Sequence, residues 1–407
     1  MWLKIHKYPV ASFRANFFSS IIKYFMNSKT LKKFIGDVKK IMRVTILTNG
    51  PGEMWGWVRP VVYELRKRGH SISLWLLPCQ FSSGHEREAA SYFGVDKLEG
   101  PFSTAQTWEA LPGEITDRII QLGGDPIFGQ RMAKAARVSF TIYSYRAAKK
   151  IEGANMLVAY KEQINNIPGV TAIGDLVKDA LNFDITPSKN SGWDWPKREG
   201  APRILFLPGS RPAIRTAVLE WLQEVQKKLQ EKIPGVRTRT LFSSFMPRSE
   251  FKTWEKAGLS PVSFGAGVAM NNADFALTPP GTNNFELMHC GLPGLVAAPE
   301  KFLKFVPVSG ALGVLADLPL LGLKFRKIAA MKIVKRWNGF ISLPNRTFGR
   351  EILRELWGNI TTEDIAEEIF KCVSDSDYLA KTREDLLNLS GPGGAASRLC
   401  DIALSKK

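Results

Sequence analysis

Three short turns carry residue types able to hold phosphate, and each lies between a run that reads as a strand and one that reads as a helix. They are Asn49-Gly50-Pro51-Gly52-Glu53, Leu207-Pro208-Gly209-Ser210-Arg211 and Pro280-Gly281-Thr282-Asn283-Asn284-Phe285-Glu286. In open α/β sheets ligands bind at such turns, because exposed backbone N–H groups and the positive end of a helix attract an anion. Gly209 lets backbone approach a ligand closely, Ser210 offers a hydroxyl, and Arg211 offers a guanidinium that can fork onto phosphate. A tight turn with a surface arginine is the plainer account of the same five residues. Glu286, one turn into its helix, could accept hydrogen bonds from ribose hydroxyls while Gly281 and Thr282 face a diphosphate. The same stretch also spells a capping box, with Thr282 or Asn283 as N-cap and Glu286 reaching back. Asp125 ends a further strand, in Gly123-Gly124-Asp125-Pro126. There a carboxylate could take a proton from an attacking hydroxyl, or could cap the helix that Pro126 opens. His70, His85 and His289 read as surface or packing residues.

The elements that must position these turns repeat as strand then helix. From Met42 onward, strand 44–48 is followed by a helix carrying Val58, Val61, Val62 and Leu65, which stops at Arg68-Gly69. Strands follow at 71–77, 119–122, 139–143, 156–159 and 170–173. Residues 186–202 are polar and broken by Pro and Gly, as a linker between domains would be. The pattern then restarts with strand 203–207, helix 218–233, and strands 238–242 and 274–277, and residues 346–407 read as C-terminal helices. Alternation of this kind implies a mostly parallel sheet with helices on both faces. The expected organisation is a leader over 1–41, a first Rossmann-like domain over 42–185, a second over 203–345, and the terminal helices. At 407 residues the chain suits two such domains better than one.

The net charge of +18 is concentrated. Residues 1–41 hold nine Lys/Arg and one Asp, and residues 301–337 hold eight Lys/Arg and one Asp, so these two segments together carry +15. Both are also apolar and aromatic. Basic residues beside an apolar stripe suit an anionic membrane surface, and two local patches differ from the diffuse field of a nucleic-acid binder. Ordinary core packing competes for residues 311–323. The leader is either an amphipathic membrane arm or sequence upstream of a start at Met42. No run approaches the ~20 apolar residues of a membrane-spanning helix. Cys79, Cys290, Cys372 and Cys400 are scattered, without a C-x-x-C pair or clustered histidines, so neither a disulfide framework, a zinc site nor any other metal centre is expected.

With these motifs in order, most of residues 42–370 resembles the lipid-A-disaccharide synthase family, glycosyltransferases of family 19 with the GT-B fold, in which two Rossmann-like domains face a cleft. Asn49–Glu53 corresponds to that family's Ser-Gly-Glu loop. Gly124-Asp125-Pro126-Ile127-Phe128-Gly129 is similar to its Asp-x-Pro-Asp-Phe-Asn segment, and Ile173-Gly174-Asp175 stands where it has Val-Gly-His. Leu207–Arg211 is its Leu-Pro-Gly-Ser-Arg, Pro280–Glu286 follows its Ser-Gly-Thr-Ala-Thr-Leu-Glu, and Leu343-Pro344-Asn345 with Gly349-Arg350 follows its Leu-Pro-Asn-x-x-x-Gly-Arg run. The departures are Met54-Trp55-Gly56-Trp57 in place of Ala-Ser-Gly-Asp, Asp175 in place of histidine, Arg215 near a usual glutamate, and Asn283-Asn284 in place of Ala-Thr.

The resemblance implies an enzyme of the cytoplasmic face of the membrane. It would move a sugar from a UDP-sugar, of UDP-GlcNAc or UDP-diacylglucosamine type, to a lipid-linked acceptor, as in lipid A disaccharide formation. Gly52, Gly209, Ser210, Arg211, Gly281, Thr282, Asn283, Glu286 and Asn345 would hold the donor, and Asp125 would be the base, with Glu53 the second candidate. No cofactor, metal or nucleic acid enters this scheme, and a homodimer through C-terminal exchange is compatible with it. The altered loops keep three alternatives open: a UDP-sugar epimerase, a polyprenyl-linked glycosyltransferase, and a membrane-bound scaffold without catalysis.

Overall fold

Apolar β-branched runs on this chain build two separate parallel sheets. The computed structural model describes residues 41–79, 82–184, 201–242, 246–262, 265–305, 322–336 and 338–405. The leader 1–40, most of the expected linker and residues 306–321 of the basic segment lie outside them. Contacts divide the chain into Met1–Met42 and Arg43–Lys407, and every element below belongs to the second unit.

The first sheet has seven strands in the order β3-β2-β1-β4-β5-β6-β7, all parallel. They are β1 (Arg43–Thr48), β2 (Ser71–Leu76), β3 (Lys97–Glu99), β4 (Arg118–Leu122), β5 (Ser139–Ser144), β6 (Ala154–Val158) and β7 (Val170–Ala172). β1 is buried from Val44 onward on both faces, the signature of a strand with helices above and below. The Arg59–Lys67 helix and its lead-in put Val58, Val61, Val62 and Leu65 on one stripe, each at most 1% exposed. It ends where Gly69, at φ 82°, turns the chain and His70 N–H donates to the Leu65 carbonyl at 3.1 Å. Leu65→Ala would cost about 2–5 kcal/mol by opening that stripe.

The second sheet has six parallel strands in the order β10-β9-β8-β11-β12-β13. They are β8 (Arg203–Phe206), β9 (Arg237–Leu241), β10 (Pro261–Val262), β11 (Phe275–Thr278), β12 (Gly294–Pro299) and β13 (Arg354–Gly358). β13 corrects the expectation of helices alone beyond residue 346. The helix after β8 starts at Pro212 and not at 218, because proline suits the first helical position.

A matching clamp holds the amino ends of the central strands in each sheet. Asp117, just before β4, accepts from the Arg43 backbone at 2.9 Å and from its guanidinium at 3.3 Å. Asp274, just before β11, does the same for Arg203 at 2.9 and 3.0 Å. The chain then crosses back. Helices Thr362–Ser374 and Ser376–Ser390 follow β13, and the Ala395–Leu404 helix packs on the first domain, where Arg398 Nε donates to the Ile173 carbonyl at 2.6 Å and Arg68 pairs with Asp401 at 2.7 Å.

Candidate active site between the two sheets

Strand order reverses at β1/β4 in the first sheet and at β8/β11 in the second, and ligands bind beyond the carboxyl ends of strands at such switch points. All four loops in question leave those ends: Asn49–Glu53 after β1, Gly123–Asp125 after β4, Leu207–Arg211 after β8, and Pro279–Thr282 after β11. Three of them meet around a cavity of about 90 Å³, lined by Gly52, Gly209, Ser210, Thr282, Asn283 and Glu286 among others. At its floor a Cβ on Gly52 would come within 2.8 Å of Thr282 Oγ1, so the loops from opposite sheets touch.

The loop after β8 is held from beneath. Gly209 takes φ 88°, a conformation that favours glycine. Arg215, 0% exposed on the following helix, donates to the Ser210 carbonyl and forks onto Glu250 at 2.8 and 2.7 Å. This arginine, read in the sequence only as a departure from the family pattern, fixes the turn. At Thr282 no side-chain cap forms. Asn284 organises that turn instead, accepting from Gly281 N–H at 3.1 Å and donating to the Pro279 carbonyl at 3.1 Å. The expected capping box is therefore replaced, and Glu286 lines the cavity.

The two carboxylates singled out for proton transfer have different surroundings. Asp125 is exposed, and its Oδ1 accepts from Ile127 N–H at 3.0 Å as N-cap of the Pro126–Ala136 helix. Neither Asp125 nor Glu53 is among the residues lining the cavity, although Gly52 beside Glu53 is. Glu53 is folded back against Gly50 and Gly123, where a Cβ at either glycine would collide with its side chain. Burial pushes its carboxyl above the usual carboxylate range, while its own backbone N–H and the Arg211 guanidinium pull it down. The chain next to it makes a π-turn over Met54–Val58, a rare geometry often found at functional sites.

Asn345 does not join the cavity. Its Oδ1 accepts from Ile352 and Leu353 N–H at 2.9 and 3.0 Å, and its Nδ2 donates to the Leu353 carbonyl and Glu355 at 2.8 and 2.7 Å. An amide side chain has two acceptor and two donor positions, and all four are used. Asn345 ties the Leu343–Phe348 helix to β13.

Structural comparison settles the architecture. MurG of Acinetobacter baumannii is similar over 89% of this chain and 99% of its own, with a TM-score of 0.50 at 13% identity. The UDP-GlcNAc 2-epimerase of Neisseria meningitidis, solved bound to UDP-GlcNAc, is similar over 89% and 100%, with a TM-score of 0.54 at 14% identity. UGT89C1 of Arabidopsis thaliana, solved with UDP, is similar over 89% and 98%, with a TM-score of 0.50 at 14% identity. The fold is GT-B. No protein-family model matches the sequence, and no curated protein matches it either. The GT-B neighbours include glycosyltransferases and epimerases and do not single out the lipid-A-disaccharide synthase family.

Beside the cleft, the two GT-B domains are joined by a buried polar cluster that the sequence does not advertise. Asp175, 2% exposed, caps the Leu176–Leu181 helix of the first domain through Val177 N–H at 3.0 Å. Its Oδ1 also accepts from the phenols of Tyr145 at 2.9 Å and Tyr143 at 3.3 Å. Its Oδ2 meets Tyr160 at 3.2 Å and, from the second domain, His289 Nε2 at 3.0 Å. His289 Nδ1 lies 2.9 Å from Ser390 Oγ. Burial, followed by the Asp175 charge, holds the Tyr143 and Tyr145 hydroxyls well above the ordinary phenol range, so they stay protonated donors. Trp57 of the π-turn packs edge-on against both tyrosines at 5.1 and 4.9 Å, and Phe285 packs on Tyr145 at 4.6 Å. The packing role expected for His289 is met together with a polar one. Sequence gave one hint, the Asp175 substitution itself.

Proposed function

We propose that the chain is a glycosyltransferase that takes a sugar from a UDP-sugar and passes it to a lipid-linked acceptor at an anionic membrane surface. One observation carries it: phosphate-compatible turns from both domains converge at the switch points of a GT-B fold. The UDP-GlcNAc and UDP bound in two structural neighbours agree with a nucleotide donor. In this scheme Gly209, Ser210 and Arg211 bind the diphosphate together with Gly281, Thr282 and Asn283, and Glu286 accepts from the ribose. The positive end of the Asn283–Cys290 helix and the Arg211 guanidinium stabilise the charge on the departing UDP. Burial lowers the Arg211 guanidinium from its ordinary value, while nearby Cys79 and Glu53 act in the opposite direction.

Glu53 takes the acceptor's proton; burial raises its carboxyl, the direction that makes a carboxylate a better base. Ligand sites span about 300–1,000 Å³, so the cleft parts at Gly52–Thr282 to admit a nucleotide sugar. The membrane part of the proposal rests on the basic helix Gly322–Arg336 and the charge of the leader. Among the described residues no helix is long and apolar enough to cross a membrane.

The test is calorimetric titration with UDP, then product analysis on UDP-sugars with and without phosphatidylglycerol vesicles carrying extracted lipid acceptors. UDP binding that weakens at least tenfold in Arg211→Ala, with transfer that needs the vesicles, supports the proposal. Conversion of UDP-GlcNAc to its C2 epimer without acceptor would replace it with the epimerase reading. No UDP affinity in folded protein would leave a scaffold.

A further inference from the structure

Behind the phosphate loops, on the side away from the cleft, lies a second and larger cavity of about 660 Å³. The loops have two faces. Gly209 and Ser210 line the cleft, whereas Leu207 and Pro208 line this cavity; likewise Thr282 lines the cleft, and Pro279 and Pro280 the cavity. Arg211 stands in the wall between them, lining the cavity while interacting electrostatically with Glu53. Its floor is apolar, with Val218, Trp221, Leu222 and Leu277, all at most 8% exposed. Its roof is the Gly322–Arg336 helix, which turns Lys327, Ala330, Met331 and Val334 inward. That spacing is one continuous helical stripe. The outer side of the same helix carries exposed Lys332, Lys335 and Arg336, with Ile328 exposed among them, and Met331 lies half-exposed at the cavity's rim.

Native interiors rarely leave voids larger than a water molecule, and large apolar cavities take apolar ligands. The charged groups in the lining are Arg211, Arg346 and the Lys327–Glu300 pair at 2.9 Å, so the balance is positive. Both arginines are half-buried, and Arg346 is anchored through Nε to the Phe340 carbonyl at 3.1 Å. Guanidinium groups in such a setting fit a phosphate. A cationic outer face, an apolar interior and the Arg346 guanidinium in the wall together match one occupant.

We propose that this cavity holds an acyl chain of a phosphate-bearing membrane lipid, with the phosphate at Arg346. The chain would enter beneath the Gly322–Arg336 helix from an anionic bilayer. This site is separate from the cleft and stands whether or not the cleft binds UDP.

The test uses the full chain and alkyl phosphates of eight, ten and twelve carbons below their micelle concentrations. A buried methylene contributes about 0.8 kcal/mol, roughly a fourfold gain in affinity. Binding should therefore tighten about tenfold or more for each two-carbon step. Ala330→Trp, which fills the cavity from its roof, should weaken dodecyl phosphate at least tenfold while its melting temperature and UDP titration match the parent protein. Arg346→Gln should weaken all three probes by a similar factor. A series flat in chain length would mean a surface charge effect and overturn the proposal. Unchanged dodecyl phosphate binding in folded Ala330→Trp would overturn it too, as would no binding of any probe, the result expected if the chain's own residues fill the space.

Discussion

The buried bridge between Asp175 and His289 makes a quantitative prediction about how the two domains are coupled. In Asp175→Ala, Val177 N–H, three tyrosine hydroxyls and His289 Nε2 all lose an acceptor they meet at 2.9–3.3 Å. Removing one partner of a buried ionic network costs about 3–5 kcal/mol, and this change should fall at the upper end. His289→Ala strands less, because Asp175 Oδ2 keeps Tyr160 and Ser390 loses one contact, so about 2–3 kcal/mol is expected. Groups that touch are not additive, and the double variant should cost about 1–3 kcal/mol less than the two singles together. The assay is urea unfolding by tryptophan fluorescence, with calorimetry alongside. In Asp175→Ala the calorimetric melt should fall by about 10 °C and broaden or split, since the bridge links elements of both sheets. Additive single effects within about 0.5 kcal/mol would show that the two residues do not stabilise one another, and the coupling account would fail.

Three further outcomes follow from the site. Glu53→Gln should lower turnover by about 10²-fold or more, measured on the donor the binding screen identifies. It should also raise the melting temperature at neutral pH: Glu53 is raised above its unfolded value of 4.5, so its contribution to stability is present below that value and lost as pH rises through the folded one. The gain should vanish as the pH falls below about 4.5, and an equal gain at every pH would argue against burial as the cause. Asp125→Asn should keep turnover within a few-fold, because asparagine caps a helix about as well as aspartate; a loss of 10²-fold would make Asp125 the base in place of Glu53. Arg215→Met should weaken UDP binding severalfold by releasing the Ser210 carbonyl, whereas Asn345→Ala should cost about 2–4 kcal/mol in urea with the UDP affinity unchanged, and a reversed pattern would exchange their roles.

Much of the fold was legible because parallel strands buried on both faces read as continuous apolar runs. β1, β2, β4, β5 and β8 fall within a residue or two of their expected bounds. β12 was missed although Gly294-Leu295-Val296-Ala297-Ala298-Pro299 is just such a run. β13 was missed because Arg354-Glu355-Leu356-Trp357-Gly358 is polar, as an edge strand can be, and β10 is too short to leave a pattern. The site was legible where chemistry is local, in glycines that turn the chain and in Ser210 and Arg211 that follow it. It was not legible where partners are distant. Asp175 and His289 lie 114 residues apart, and Arg215 and Glu250 lie 35 apart, so neither pair leaves a motif. Asn345 shows the reverse case, a residue that fits a family pattern while its amide bonds to Ile352, Leu353 and Glu355, partners the pattern does not reveal.

The crossing of the last helix has a consequence for how the protein is made. Ala395, Leu399 and Cys400 are 0% exposed against the first domain, and Asp179 of that domain receives Gly394 and Ala396 N–H at 2.6 and 2.8 Å. The first domain therefore lacks part of its own surface until the Ala395–Leu404 helix has left the ribosome. A nascent chain stopped after residue 390 would carry an intact set of β1–β7 strands with an apolar groove still open beside Leu65 and Ile173. For the duration of the second half of synthesis, that groove is exposed to whatever else in the cell binds apolar surface.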